Sequence, residues 1–527
     1  MKRISLIFIF YFIPLSIFSQ SFNGFALYNS QGSNTTYLID ENQNIAHTWN
    51  LTTECNYTVA LKKNGNLIRG TKVNTSVFST GNVAAGGGMV QEIAPDGAVV
   101  WEYNYANSDH LSHHDLTLVG DNVLLTAYEK KTAPELNAAG FNNASSEKWP
   151  THFIELEPDG NGGATIVWEW HIWDHLCQDT DPNKPNYVSN ISDHPELIDI
   201  NMIQSPGGGP GGNQSGDWFH VNGVDYNEEL DQIVFSSRFA SEIYIIDHST
   251  TTAEAASDSG GNSGMGGDIL YRWGNPSNYG MSGQQVIPSA VHDSRWIIND
   301  GRPNGGYLQI FNNKGISNNQ STVDGIETPL DPATGYTYTR IPGQPYGPSS
   351  YTTRYICQFS SSGQSASDRM SNGNIYVNAS GGQGGAGVMY EVDSLGNLVW
   401  GPYNSQSQKG FRYECDYPGI IALEPYINTN TTTCFDHTGN DNVIKDSFVI
   451  YPNPTSAKIN IDMSLNNEID IIVSNIFGQI IYQEFIKDFQ YRNSIQIDLD
   501  NYPEGIYLIK LRSNSGKTYN KSISYIK

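Results

Sequence analysis

A short unit that recurs along the chain does most to constrain its fold: a turn rich in Asn, Asp and Gly, followed by a strand that ends in tryptophan. The copies end at Trp49, Trp101, Trp168, Trp273 and Trp400. Further apolar strands lie between the copies, and the intervals are long enough for blades of four strands with loop insertions, as in a β-propeller. Five copies predict five or six blades, and each tryptophan is expected to pack between neighbouring blades.

The composition supports the same fold class. Glycine is abundant, at 52 of 527 residues, aromatic residues make up 12%, and long helical periodicity is almost absent. Short alternating apolar runs separated by turn residues are typical of β-strands. We therefore predict an all-β chain.

The chain is strongly acidic, with 54 Asp and Glu residues against 29 Lys and Arg residues and a formal net charge of −25. Such a surface repels nucleic acid and anionic lipid. We therefore expect no nucleic-acid partner, and an anionic substrate would need a local positive pocket. Clusters of arginine and histidine are informative against this background.

Residues 1–20 have the pattern of a secretory signal peptide. Lys2 and Arg3 precede a mostly apolar run from Ile4 to Phe18, and a polar end follows it. The apolar run is short for a membrane span, and no later segment is long enough to cross. The mature chain is predicted to be exported and to have no membrane span.

The five cysteines contain no Cys-x-x-Cys pair, which argues against a zinc knuckle. Because export permits disulfides, we expect a structural bridge between Cys415 and Cys434, the closest pair in the sequence. The odd number leaves at least one cysteine free or paired outside the chain.

A separate module occupies residues 449–527, after a linker at residues 436–448. Its short strands predict a β-sandwich of about 80 residues, a size able to fold alone. The opening Tyr451–Thr455, the turn Phe477–Gln479, the segment Pro503–Tyr507 and the basic last strand resemble the type A sorting domain of the type IX secretion system of Bacteroidetes. The resemblance implies the type IX secretion machinery as a partner, export to the cell surface or beyond, and removal of the module.

The residues most suggestive of chemistry are His220, Asn222 and Arg238. The first two stand in Asp-Trp-Phe-His-Val-Asn-Gly, and Arg238 follows an apolar run that is predicted to be a strand. A titratable imidazole, an amide and a planar cation suit a tetrahedral oxyanion such as sulfate or phosphate. Two further histidine sites, His113-His114-Asp115 and His292-Asp293, extend the set.

The middle of the chain resembles the bacterial arylsulfate sulfotransferase family. The matching segments are His113 to Leu116, Asp217 to Gly223, Ser236 to Ile243, and His292-Asp293, in the order of that family. The resemblance implies a six-bladed β-propeller over residues 21–435, with the histidines meeting at a central channel. It also implies transfer of a sulfuryl group from an aryl sulfate donor to a phenolic acceptor, with no nucleotide donor, no metal and no other cofactor.

The same resemblance suggests individual roles. His292 would be the nucleophile and would form a sulfohistidine, which splits the transfer into two displacements. Arg238 would hold two sulfate oxygens in a fork, which a lysine cannot do. His220 and Asn222 would donate hydrogen bonds to the same oxygens.

The pair His113 and His114 would supply one more group, either as a donor to the sulfate or as an acid for the departing phenoxide. Adjacent residues of an extended strand face opposite sides, so only one of the two is expected to face the channel. We favour His114, which stands next to Asp115.

Two other functions are compatible with these residues. A metal-dependent hydrolase could use His114, His220 and His292 with a neighbouring aspartate, although Arg238 close to a metal would oppose it. A non-catalytic secreted propeller could bind glycans or adhesins. A nucleotide-dependent sulfotransferase is excluded, because the near match to a phosphate-binding loop at Ser515–Thr518 lacks the first glycine and falls in the terminal module. The sequence does not decide the oligomeric state.

Overall fold

The computed structural model describes residues 21–30, 32–73, 83, 85–203, 216–381, 387–435, 447–451, 455–464, 469–475, 479–486, 494–513 and 518–526. The chain divides into two compact units, residues 1–435 and residues 436–527. The predicted signal peptide, most of the predicted linker, and residues 452–454 and 477–478 of the terminal motif lie outside the described residues. Among the helices that are described, none is long and apolar enough to cross a membrane.

The first unit is built almost entirely of antiparallel strands, as the alternating apolar runs predict. Its described residues form six four-stranded antiparallel sheets and one small two-stranded parallel sheet. In chain order the strands of the first three sheets are β1 Gly24–Ser30, β2 Thr35–Ile39, β3 Ile45–Asn50, β4 Cys55–Leu61, β5 Leu67–Lys72, β6 Gly88–Ile93, β7 Val99–Asn104, β8 His110–Val119, β9 Asn122–Glu129, β10 Thr151–Pro158 and β11 Ala164–His171.

The remaining strands continue the same meander. The small parallel sheet consists of β12 Leu176–Cys177 and β13 Ile198–Asp199. The other three sheets contain β14 Val221–Asn227, β15 Gln232–Ser237, β16 Glu242–Asp247, β17 Tyr271–Gly274, β18 Val291–Trp296, β19 Leu308–Ile316, β20 Gln320–Ile326, β21 Thr353–Ile356, β22 Ala366–Arg369, β23 Ile375–Ala379, β24 Gly387–Val392 and β25 Leu398–Ser405, and the last strand of the unit is β26 Ser407–Glu414. Three short helices are α1 Ala133–Ala139, α2 Thr252–Ala255 and α3 Pro418–Leu423.

The two ends of this unit share one sheet. Strand β26 pairs antiparallel with β1, with Leu27 opposite Phe411 and Tyr28 opposite Gly410. The first strands of successive sheets also contact one another, from β1 to β4, β8, β14, β18 and β22, and β22 in turn contacts β26. In five of the described sheets the first strand therefore lies at the edge that faces the other sheets, and in the sheet of β1 this edge strand is β26.

The recurrent tryptophans lie on the last strand of five of the six described sheets and join each sheet to the next. Four indole N–H groups donate across such a boundary: Trp49 to the Ala94 carbonyl (3.2 Å), Trp168 to the Thr250 hydroxyl (3.1 Å), Trp273 to the Pro348 carbonyl (2.7 Å) and Trp400 to the Glu41 carbonyl (2.8 Å). Trp101 donates to Glu92 of its own sheet but packs against apolar residues of the third sheet. The expected position of the tryptophans between sheets is confirmed.

The predicted disulfide is present. Cys415 and Cys434 are bonded, with their Cα atoms 5.2 Å apart, and they join the end of β26 to the last described segment of the unit. Among the described residues the other three cysteines, Cys55, Cys177 and Cys357, are buried free thiols.

The second unit is a β-sandwich, as predicted. Its core is mostly aliphatic, with Ile459, Ile471 and Leu511 fully buried, and it includes Tyr507 and Tyr525. One described sheet has three strands and the other has four. The strands are β27 Ser447–Tyr451, β28 Lys458–Ser464, β29 Ile469–Asn475, β30 Ile480–Ile486, β31 Ser494–Asp498, β32 Gly505–Ser513 and β33 Thr518–Tyr525.

Candidate active site

Three histidines from three sheets meet inside the first unit. His114 lies in β8, His220 immediately precedes β14, and His292 lies in β18. The ring centroids of His114 and His220 are 4.6 Å apart, and those of His220 and His292 are 6.5 Å apart. All three side chains are buried. The fold thus brings together segments that lie far apart in the sequence.

The backbone around these histidines departs from a regular strand. His114, His220 and Asp293 have φ values of 49°, 50° and 53°, in the left-handed region that side chains other than glycine rarely adopt. The register of β8, β14 and β18 shifts at the same places. Such residues cost about 1–3 kcal/mol each and persist where surrounding contacts hold them, which is common at functional sites.

This irregularity corrects one expectation about β8. The strand is not extended at His113 and His114, and the two side chains do not diverge to opposite faces. Their Nδ1 atoms lie 2.7 Å apart, so one donates to the other. The His113 ring stacks on Tyr128 with a centroid distance of 3.4 Å, whereas the His114 ring faces His220. Burial lowers the pKa of His113 to about 3 and that of His114 well below its ordinary value.

Both ring nitrogens of His292 have defined partners. Nδ1 lies 2.8 Å from the Ala290 carbonyl oxygen and 2.7 Å from Oδ1 of Asn313, so Nδ1 carries the proton and donates. Nε2 accepts a hydrogen bond from the backbone N–H of Gln364, at 3.0 Å. Burial, and then the charge of Arg238, lower the pKa of His292 well below its ordinary value. His292 is therefore a neutral imidazole whose Nε2 holds the lone pair.

His220 is held by the aspartate three residues before it. Oδ2 of Asp217 lies 2.5 Å from Nδ1 of His220, and Oδ1 accepts the backbone N–H of His220 at 3.0 Å. Burial would raise the pKa of Asp217, but His220, together with His113 and Tyr128, lowers the pKa below its ordinary value. The carboxylate therefore fixes the ring orientation and favours a proton on Nδ1.

Arg238 follows β15, as predicted, and reaches the same region. Its backbone N–H donates to the carbonyl oxygen of His220 at 3.2 Å, and Nη1 donates to the carbonyl oxygen of Ser362 at 3.3 Å. Burial lowers the pKa of the half-buried guanidinium, and Asp217 partly opposes that effect. The segment containing Ser362 and Gln364 thus contacts both Arg238 and His292.

Asn222 is placed differently from the prediction. Its Nδ2 donates to the carbonyl oxygen of Val291 at 2.8 Å, and its Oδ1 accepts from the hydroxyl of Ser236 at 2.7 Å. Asn222 is fully buried. The amide therefore ties β14 to the residue before His292, rather than pointing both of its polar atoms at a substrate.

Sequence reasoning missed two residues of this region. Asn313 holds Nδ1 of His292, and Lys409 contacts the aspartates that follow two of the histidines, with Nζ 2.7 Å from Oδ2 of Asp115 and 3.2 Å from Oδ1 of Asp293. Neither residue stands in a motif. The only sequence signal is indirect: two buried carboxylates beside site histidines require a cation.

The arrangement suits the transfer of an anionic group. A guanidinium and buried hydrogen-bond donors stabilise negative charge in a dry site, and a neutral imidazole can act as nucleophile. Within the described ranges, no group of three or more His, Cys, Asp or Glu side chains could hold a metal ion. Fold and site together define an all-β chain with a buried cluster of histidines beside an arginine, a set of groups suited to an oxyanion.

The comparisons with known families give this class a name. The family described as Arylsulfotransferase (ASST) matches residues 17–333, and the chain belongs to this family. Residues 449–525 match the secretion system C-terminal sorting domain. The terminal module is thus a type IX sorting domain, which indicates secretion and export to the cell surface. No curated protein matches the chain.

Solved structures that align with the chain do so distantly. A luciferin-regenerating enzyme is 8% identical, with 70% of this chain and 87% of that chain covered and a TM-score of 0.32. AztD from Citrobacter koseri is 10% identical, with 90% and 98% covered and a TM-score of 0.31. A DUF3244 family protein with an immunoglobulin-like β-sandwich fold from Bacteroides vulgatus is 12% identical, with 15% and 83% covered and a TM-score of 0.14.

Proposed function

We propose that this protein is a secreted aryl-sulfate sulfotransferase that moves a sulfuryl group from a phenolic sulfate ester to a phenol through a sulfohistidine. The proposed organisation is a signal peptide at residues 1–20, a six-bladed β-propeller at residues 21–435, a linker at residues 436–448, and a sorting domain at residues 449–527. Family membership supports the activity. The six four-stranded sheets, the β1–β26 pairing and the bond from Trp400 to Glu41 support a closed propeller.

The observation that carries the mechanism is the protonation state of His292. Because Nδ1 donates to Asn313 and Ala290, the lone pair lies on Nε2 of a neutral ring. In the first step Nε2 gives up the hydrogen bond from the Gln364 N–H and attacks the sulfur atom, the N–S bond forms, and the bond from sulfur to the phenolic oxygen breaks. The electron pair leaves with the phenoxide. Nδ1 keeps its proton, and Asn313 stabilises the positive charge that develops on the ring.

The second step reverses the first with a different phenol. The acceptor oxygen attacks sulfur, the N–S bond breaks, and its electron pair returns to Nε2. The phenolic proton passes to a nearby base, for which His220 is suited, because Asp217 holds its other nitrogen and stabilises the imidazolium. For this, His220 starts the cycle as the imidazolium: in the first step it gives its Nε2 proton to the departing phenoxide, and its neutral ring then takes the acceptor's proton.

The other residues serve binding and position. Arg238 would hold sulfate oxygens through its guanidinium. Nη1 donates to the Ser362 carbonyl oxygen, and a sulfate oxygen could take the place of that acceptor. His114 would donate to the sulfuryl group or the phenolic oxygen, with His113 as its partner. Asn222 would position β18 beneath His292.

The test uses the purified mature protein with 4-nitrophenyl sulfate and phenol. We expect phenyl sulfate as product and, with donor alone, an adduct with the mass of one SO₃ group on His292. His292→Ala should lose turnover and adduct, whereas His194→Ala, a change at a half-exposed histidine outside the site, should keep both. Absence of turnover with several aryl sulfates, together with absence of adduct, would overturn the proposal. Loss of activity on chelation and its return with a metal would instead favour a metal-dependent hydrolase.

A further inference from the structure

The most buried cation near the site is Lys409 of β26, whose side chain has no exposed surface. Its Nζ bridges two aspartates, at 2.7 Å from Asp115 and 3.2 Å from Asp293. Asp115 directly follows His114, and Asp293 directly follows His292. One ammonium group thus contacts both histidine-bearing strands, β8 and β18, from the strand that pairs with β1.

The two aspartates are not equivalent. Asp293 has a second cation, because Arg295 lies 3.2 Å from it, and it also accepts the backbone N–H of Ser367 at 2.9 Å. Asp115 accepts from the hydroxyl of Thr58 at 2.7 Å and from the backbone N–H of Val224 at 3.0 Å. Among the ion pairs of the described residues, Lys409 is the one cation that contacts Asp115.

We propose that Lys409 is a positioning residue for sulfuryl transfer, acting through Asp115 and Asp293 to hold His114 and His292 at their mutual geometry. The inference rests on the proposed function, because it assigns a role in that reaction. The charge of Lys409 offsets two carboxylates that would otherwise repel each other in a dry interior. Without that charge, repulsion between Asp115 and Asp293 would push apart the strands that carry the histidines.

This account predicts a loss of kcat that a purely structural lysine would not give. The charged groups next to Lys409 are Asp115 and Asp293, and Arg295 and Asp368 follow beyond Asp293. The imidazoles of His114 and His292 are neutral, since burial lowers their pKa. In Lys409→Met the repulsion between Asp115 and Asp293 is no longer offset, so removal of the Asp115 charge by substitution should restore part of the lost geometry.

The experiment compares Lys409→Met with the charge-balanced double variant Lys409→Met/Asp115→Asn, in the mature protein. We expect Lys409→Met to lower kcat at neutral pH by about 100-fold with little change in KM, because a small misplacement of reacting groups has that effect. The amide introduced by Asp115→Asn can accept from Val224 through its oxygen and carries no charge to repel Asp293. The double variant should therefore recover kcat at neutral pH.

The matched control is Lys62→Met, since Lys62 and Glu92 form a comparably buried ion pair, at 3.0 Å, in the second sheet. It should lower the melting temperature and leave kcat unchanged. A Lys409→Met protein with wild-type kcat would overturn the inference, as would a folded double variant that recovers none of the lost kcat. If Lys409→Met does not fold, the double variant alone decides. A wild-type protein that transfers no sulfuryl group would contradict the proposed function instead.

Discussion

At the residue scale, neighbouring groups give histidines of this chain opposite charge states. Burial, reinforced by neighbouring basic groups, keeps His114 and His292 neutral, with pKa values well below the ordinary one. His171 and His248 are also largely buried, but each lies between two carboxylates, and their pKa values rise to about 9. Neutral imidazoles can serve as nucleophiles, whereas charged ones serve as ion-pair partners.

The geometry of Arg238 leads to a prediction about charge and shape. Arg238→Lys keeps the positive charge but loses the planar fork that can hold two oxygens of one sulfate. We expect kcat/KM for an aryl sulfate to fall about 100-fold, the scale that loss of a donor to transition-state charge produces. The melting temperature should change little, because among the described residues the guanidinium makes one hydrogen bond, to the Ser362 carbonyl.

Steady-state kinetics of Arg238→Lys would be compared with those of Arg340→Lys. Arg340 lies outside the site, and its guanidinium contacts the Gln344 carbonyl on the surface. The prediction fails if both variants keep wild-type kcat/KM, since the guanidinium fork would then contribute nothing to transfer.

The sequence alone predicted His220, Arg238 and His292 as site residues, because each stands in a short segment with a recognisable pattern, and the structure brings the three into one region. It did not identify Lys409 or Asn313. Both act on residues that are distant in the chain, and their own surroundings, Gln408-Lys409-Gly410 and Asn312-Asn313-Lys314, carry no local signal. Asn222 was identified with a different role, since nothing in its segment tells whether the amide faces a ligand or a neighbouring strand.

At the element scale, strand periodicity predicted the sheets but not their local irregularities. The alternation rule did not hold at His113 and His114, because β8 shifts register there and their Nδ1 atoms are in contact, although His114 faces His220 and His113 stacks on Tyr128. The tryptophan repeat gave five copies for six sheets, because the last strand of the fifth sheet, β21, carries Tyr355 instead. A repeat defined by tryptophan does not detect a sheet whose last strand carries a different aromatic residue.

His248 leads to a prediction about the junction between the third and fourth sheets. Its ring nitrogens lie 2.7 Å from Asp231 and 2.9 Å from Glu155 of β10. With a folded pKa of about 9, above the unfolded value, its stabilisation is complete below the unfolded pKa and is lost as pH rises through the folded pKa. His248→Gln should therefore lower the free energy of unfolding at about pH 6 by roughly 1–3 kcal/mol, and by much less at about pH 10.

Urea unfolding of both proteins at the two pH values measures this difference. His171 titrates in the same range and remains in both proteins, so the comparison isolates His248. An equal loss of stability at both pH values would contradict the prediction, because it would point to lost packing rather than lost charge.

At the scale of the whole first unit, strand β26 has two tasks. It pairs with β1, and Arg412 anchors the beginning of the unit by bonding to Glu391 at 2.6 Å and to the carbonyl of Phe22 at 2.9 Å. The same strand carries Lys409 to the aspartates beside the histidines. The strand that joins the two ends of the unit therefore also contacts the candidate site.

The last prediction concerns the dependence of the first unit and its candidate site on strand β26. A chain of residues 21–435 keeps β26 and the disulfide, and it should unfold cooperatively and transfer sulfuryl groups, because the terminal module is a separate compact unit. A chain of residues 21–406 lacks β26, which leaves the edge of β1 unpaired and Asp115 without its cation. We expect it to lose both the cooperative transition and activity, and co-expression of residues 407–435 to restore part of each. Calorimetry and turnover of an aryl sulfate measure the outcome. If the shorter chain melted at the same temperature and remained active, neither the pairing with β1 nor Lys409 would be required, and the proposed closed propeller would lose its main support.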